Sequence, residues 1–236
     1  MDKSTFVEKY MTPIAVLLGA VIIAFALAYG HGAVTGTTGG AAGQPTAADV
    51  SKINTKNEPF IGDASAPVTM AVYFDYQCPF CKQFDQMALP QLVDQYVKTG
   101  KVKVYFKDFQ FLGQDSITGS EFGRAIWALY PDSYYPWLTA MFSAQDDEGD
   151  QGFGDQDSIV AMTKAQVPAI DTDKVVAYVN ANKAAIDAAV SADRDEGAAM
   201  GINGTPSIIV GKKLFYALTP DQFASQISAE IDAELK

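Results

Sequence analysis

The sequence predicts an α/β domain preceded by one N-terminal transmembrane helix. Three observations point there. A strand, a helix and a second strand follow one another at βαβ spacing between residues 68 and 106. A long helical stretch then separates them from a late β-hairpin and a final helix. An uncharged apolar run opens the chain. With 48% hydrophobic and 19% charged residues in 236, the composition is that of a folded chain rather than a disordered one. Asp and Glu number 28 against 17 Lys and Arg, a net charge of −11, which argues against nucleic acid as a partner because phosphate binding needs clustered Lys and Arg. One histidine and two cysteines cannot by themselves fill a tetrahedral zinc site.

Residues 1–10 read as a short cytoplasmic N-terminus and residues 11–29 as a signal-anchor helix. Met11 to Tyr29 holds no charge, and 19 residues at about 1.5 Å each nearly cross a hydrocarbon core of roughly 30 Å. Lys3 and Lys9 precede the run and no Lys or Arg follows until Lys52, so the positive-inside rule places the remainder of the chain outside the cytoplasm. Ala26-Leu27-Ala28 resembles a signal-peptidase site, which keeps a cleaved signal peptide as the alternative. Either reading puts the folded part in an oxidising compartment. Residues 30–57 read as a flexible Gly/Ala/Thr tether, in which His31 has nothing to hold it as a catalytic base.

The folded part is expected over 58–236. Val68 to Phe74 is an almost continuous apolar run, as a strand covered on both faces should be. A helix follows, with Phe84, Ala88, Leu89, Leu92, Val93, Tyr96 and Val97 on its apolar side and Pro90 expected to kink it. Val102 to Phe106 is the second strand, and the pair is expected to be parallel. Residues 112–200 read as mostly helical: a helix capped at Ser120 and stopped by Pro131, others around Leu138 and Ile159, and a longer one opened by Asp171 or Thr172. Trp127 and Trp137 are expected in their core. Ser207 to Val210 and Lys213 to Tyr216 flank Gly211-Lys212 as a hairpin. The last helix starts with Thr219 as N-cap, Pro220 at N1 and Gln222 at N3, a capping box.

Cys78-Pro79-Phe80-Cys81 carries the chemistry. Cys78 ends a buried strand and opens a helix, where free N–H groups and the helix dipole favour an anion and lower a thiol pKa. Three-residue spacing brings Cys81 within reach, so Cys78 can attack a disulfide and Cys81 can resolve the mixed disulfide. Pro79 is tolerated in the first helical turn and stiffens it. A static disulfide is the blander reading, but so short a loop removes little entropy from the unfolded chain. A metal half-site would need ligands beyond the two cysteines.

Four stretches in this order resemble the DsbA-like thiol:disulfide oxidoreductases of the thioredoxin superfamily: residues 62–69 (GDASAPVT), 75–81 (DYQCPFC), 104–109 (VYFKDF) and 201–207 (GINGTPS). The resemblance covers about 58–236. It implies a thioredoxin fold, a central mixed β-sheet flanked by helices, with a helical insertion at about 112–200. It implies that Cys78 is the nucleophile, Cys81 the resolving thiol and Pro206 a cis-proline facing them. Thr205 would offer its backbone to an extended substrate peptide. No cofactor is implied beyond the redox-active Cys78–Cys81 disulfide, and no metal.

The chain departs from this family at named positions. Many members carry a buried Glu six residues before the first cysteine, where this chain has Val72. That leaves the proton of the resolving thiol to water or to Asp75, itself readable as a proton relay or as a solvated strand end. The dipeptide Pro79-Phe80 lacks the histidine of strongly oxidising members, so a less depressed Cys78 pKa is expected. Gln110 replaces a frequent Pro, with no evident consequence. The acidic stretch 143–157 does not keep EF-hand spacing and reads as a solvated loop. These readings converge on a single-pass, membrane-anchored, extracytoplasmic oxidoreductase that forms disulfides in reduced exported proteins. A quinone-linked membrane partner would reoxidise it. The alternatives are a reductase or isomerase on the same fold, and a non-catalytic peptide- or metal-binding module.

Overall fold

Val68–Phe74 is the strand around which the sheet assembles. The computed structural model describes residues 46–146 and 152–236; the expected membrane span, His31 and most of the tether lie outside them. Among the described residues no helix is long and apolar enough to cross a membrane. Strands β1 (Thr46–Ala47), β2 (Phe60–Ile61), β3 (Val68–Phe74), β4 (Val102–Asp108), β5 (Ser207–Val210) and β6 (Lys213–Tyr216) form one sheet in the order β1-β6-β5-β3-β4-β2. As expected, β3 and β4 are parallel, in register from Val68↔Val102 to Phe74↔Asp108. The other pairings are antiparallel. Both faces of β3 are buried, which is why its sequence does not alternate: Met70, Val72 and Phe74 enter the main core, while Ala71 and Tyr73 enter a smaller one with Ile53, Phe109 and Ile209.

Residues 46–57, which the sequence assigns to the tether, are structured. Thr46–Ala47 pairs with Leu214 and Lys213, Ile53 is buried, and the Asn54 carbonyl accepts from Lys107 Nζ at 2.9 Å. Residues 46–57 therefore belong to the fold. Their apolar residues are too few to announce a core, and what holds them is an edge strand and polar contacts with distant residues.

The helix after β3 is continuous but uneven. Helix α1 (Pro79–Gln83) runs through a wide π-type turn (Phe84–Ala88) into α2 (Leu89–Leu92), and a second wide turn (Val93–Val97) ends it. Pro90 has no N–H to give and its ring crowds the preceding carbonyl. The irregularity takes the form of a widened turn just before it, in which the Leu89 N–H reaches back to the Phe84 carbonyl.

The insertion comprises α3 (Gln114–Leu129), α4 (Tyr134–Ala144), α5 (Gln156–Gln166) and α6 (Thr172–Ala199), and α7 (Pro220–Glu234) closes the chain. Ser120 is not the cap of α3. The helix starts at Gln114 behind Gly113 (φ 106°), and the Ser120 hydroxyl donates to the Ser116 carbonyl within it. The polar triplet Gln114-Asp115-Ser116 disguises this first turn as loop. Asp171 and Thr219 cap α6 and α7 as expected, Thr219 with the full capping box. Trp137 is fully buried and its indole N–H donates to the Thr163 hydroxyl at 2.9 Å, whereas Trp127 is partly exposed. Gly119 and Gly123 let α3 approach Tyr76: a Cβ on Gly123 would lie 2.1 Å from the Tyr76 hydroxyl oxygen.

A buried ionic cluster fastens the insertion to the sheet. Lys107 of β4 pairs with Asp193 of α6 at 2.5 Å, Glu196 at 3.2 Å and Glu58 at 3.4 Å. Arg124 of α3 pairs with Asp108 at 2.6 Å, with Glu58 at 2.9 Å and with Asp193. The Tyr73 hydroxyl donates to Glu196 at 2.7 Å.

Candidate active site

Strand β3 delivers Cys78 to the start of the long helix through the turn Asp75-Tyr76-Gln77. Cys78 is its N-cap, Pro79 occupies the first turn, and the N–H groups of Cys81 and Lys82 donate to the Cys78 carbonyl at 3.0 and 3.1 Å. Both cysteines are free thiols; Cys78 keeps 3% of its surface open and Cys81 1%. Phe80, between them, points outward and is 64% exposed. From the far end of the chain the loop before β5 closes over the pair. The Thr205–Pro206 peptide is cis, and Cys78 Sγ lies 3.4 Å from the Thr205 carbonyl oxygen, to which the thiol donates. The residues the sequence singles out at both ends, Cys78, Cys81, Thr205 and Pro206, thus meet at one place.

The two thiols differ electrostatically. A hydrogen bond from the Cys81 thiol is the largest influence drawing Cys78 down, to about 6; Thr205 and the N–H groups of Cys81 and Phe80 add to it, and burial opposes. Cys81 goes the other way: burial pushes it well above the ordinary thiol range, and its neighbour Cys78 adds to the rise. Near neutral pH Cys78 is a thiolate and Cys81 holds its proton. A Cys78 pKa of about 6 stays short of the ~3.5 reached by the most oxidising enzymes of this type, in line with the missing histidine.

Asp75 is not solvated. It is fully buried. Its Oδ1 accepts from the Gln77 N–H (2.8 Å) and the Ser116 hydroxyl (2.5 Å), and its Oδ2 from the N–H groups of Phe111 and Leu112 (2.9 and 3.2 Å). Four donors fix it as an anchor between the active-site turn and the entry to α3. Gln110 likewise has a local role, donating to Asp108 at 2.9 Å. In the acidic stretch, Asp155 caps α5, and part of that stretch lies outside the described residues.

One polar residue went unsingled in the sequence. Asp85, four residues beyond Cys81, is 3% exposed, and neither carboxylate oxygen has a hydrogen-bond partner. It lines a small apolar cavity with Cys81, Val72, Phe106, Leu138 and Pro206. The available signal was its position: a charged residue between Phe84 and Ala88, one helical turn below the second cysteine.

A family model described as thioredoxin matches residues 54–229. The chain belongs to the thioredoxin family. Within this family it is similar to the probable disulfide bond formation protein D of Bacillus cereus, 31% identical over 176 residues, 75% of this chain and 78% of that protein. It is also similar to disulfide bond formation protein D of Bacillus subtilis, 28% identical over 186 residues, 77% and 78% of the two chains. The crystal structure of oxidised BdbD from Bacillus subtilis superposes with a TM-score of 0.70 at 26% identity, covering 80% of this chain and 99% of that one. The thioredoxin-family domain seen here is thus DsbA-like, with the helical insertion where the resemblance implies, and it is a thiol:disulfide oxidoreductase. Among the described residues no group of His, Cys, Asp or Glu has metal-holding geometry.

Proposed function

We propose that this oxidoreductase donates disulfides to exported proteins outside the cytoplasm, with Cys78 as nucleophile and Cys81 as resolving thiol. The observation that carries the direction is the contrast between the two thiols. A thiolate stabilised in the reduced form makes the disulfide easier to give away. At pH 7, a thiol at about 6 rather than at its ordinary 9 favours the reduced pair about tenfold, or roughly 30 mV for a two-electron couple. Two relatives named for disulfide bond formation support the same direction.

In the forward reaction a substrate thiolate attacks Cys78 Sγ of the disulfide. The Cys78–Cys81 bond breaks, a substrate–Cys78 bond forms, and the electron pair leaves on Cys81. A second substrate thiolate then releases Cys78 as a thiolate. Thr205 and Pro206 would border the bound peptide, and exposed Phe80, Phe111 and Leu112 would offer it apolar contact. The apolar run 11–29 would anchor the chain, and a quinone-linked membrane partner would reoxidise the pair.

The test is to mix the oxidised protein with a reduced, unfolded substrate protein and follow loss of free thiols. Disulfide transfer by the oxidised wild type, and a trapped Cys78–substrate disulfide when Cys81→Ser meets the same substrate in its disulfide form, are the expected results. No transfer and no trapped conjugate would overturn the reading.

A further inference from the structure

We propose that Asp85 is the proton relay of Cys81, entering from the helix the cavity that the missing strand carboxylate at Val72 leaves apolar. The inference rests on the oxidoreductase reading and deepens it. Cys81 must change protonation each time the disulfide opens or closes, since its burial disfavours the thiolate. Asp75 is held for another task, its two oxygens accepting four hydrogen bonds from the turn and from the entry to α3.

The geometry favours Asp85. Positions 81 and 85 are four apart on one helix and so lie on one face, and both line the cavity that Val72 and Pro206 also line. The cavity measures about 10 Å³, space for about one water molecule to bridge carboxyl and sulfur. Asp85 sits in the widened turn before Pro90, the kind of local helix defect that recurs at functional sites. A buried carboxyl with no partner costs stability, so its presence here needs a reason other than packing. Burial pushes it up to about 7, with the Thr139 hydroxyl of α4 opposing weakly; Tyr135 of the same helix feels its charge. From α7 the same turn meets Phe223, through Phe84. The facing groups are therefore Cys81, Thr139 and Tyr135. A pKa of about 7 suits an acid that must both give and take a proton near neutrality.

The steps balance as follows. When substrate attack opens the disulfide, the electron pair goes to Cys81 Sγ and Asp85 supplies the proton. When the partner reoxidises the pair, it first forms a mixed disulfide with Cys78. The Cys81 thiol then passes its proton to the Asp85 carboxylate and attacks, and the partner's thiolate leaves.

The test uses the full chain. Reduction of its disulfide by dithiothreitol and its oxidation by glutathione disulfide are timed between pH 5 and 9 for the wild type, Asp85→Asn, Asp85→Leu and the double variant Val72→Glu/Asp85→Asn. Expected are a wild-type profile with an inflection near 7, a loss of roughly 100-fold in both directions with that inflection absent in both single variants, an unchanged Cys78 thiolate titration, and recovery of rate when Glu enters at position 72. A single variant exchanging at the wild-type rate with the wild-type pH profile would overturn the relay. A wild type that exchanges with neither reagent would instead overturn the oxidoreductase reading.

Discussion

Buried acids in two parts of the fold are held in different ways. Around Lys107 and Arg124, three buried carboxylates (Glu58, Asp108 and Asp193) and the half-buried Glu196 each make an ion pair. Asp85, by contrast, has no ion pair: it lines an apolar cavity, with only the Thr139 hydroxyl and Tyr135 as polar groups facing it. The first arrangement offsets desolvation in part by pairing and ties three parts of the chain together. The second leaves desolvation uncompensated beside a thiol that must gain and lose a proton. Burial alone therefore does not single out Asp85; its place on the cavity that Cys81 also lines does.

The largest effect is expected on the paired side. Arg124→Ala leaves carboxylates buried without their cation, at a cost of about 3–5 kcal/mol. Chemical denaturation should show that loss while the reduction potential of the cysteine pair stays put. A shifted potential would mean that the ionic cluster reaches the redox site after all.

Both sides should contribute to the pH dependence of stability, at separable positions. Asp85 has a folded-state pKa of about 7 against an ordinary 3.8, so the fold binds its proton more tightly than the unfolded chain does. Its contribution is fully present below about pH 3.8 and is lost as pH rises through 7, about 4 kcal/mol in all. Glu58, pushed up to about 8 by burial despite Arg124, acts with the same sign slightly higher. Urea midpoints from pH 5 to 9 should fall for the wild type. In Asp85→Asn the part of the fall that levels off near 7 should vanish, and the part that runs on to about 8 should remain. Parallel curves for the two proteins would mean that Asp85 ionises as freely folded as unfolded.

Smaller still is the contribution of the cap of α7, which makes no contact with either set of acids. Thr219→Ala removes the hydroxyl that accepts the Gln222 N–H and should cost about 1 kcal/mol in thermal unfolding, with exchange rates unchanged. A change in those rates would tie α7 to the chemistry.

The sheet and the thiols were legible because their signals are local. The unbroken apolar run 68–74, the CxxC at its end and the Gly-Thr-Pro before β5 each state a backbone or chemical requirement within a few residues. The parallel pair, the hairpin and the capping box at Thr219 came out as the sequence implies. What stayed hidden depends on distant partners. Residues 46–57 hold on through an edge strand and the Asn54–Lys107 contact. The first turn of α3 is polar because Ser116 serves Asp75, and the ionic cluster gathers residues from 58 to 196. Asp75 read as a relay because it precedes the cysteines, and only the fold shows its oxygens taken. Asp85 carried a usable signal, a charge on the buried side of a helix, that spacing from Cys81 would have exposed.

The most direct measurement is the reduction potential of the Cys78–Cys81 pair in glutathione buffers at pH 7. A stabilised Cys78 thiolate in an oxidase predicts a value between ~−240 and ~−120 mV. A value at or below ~−270 mV, that of a thioredoxin-type reductant, would contradict it.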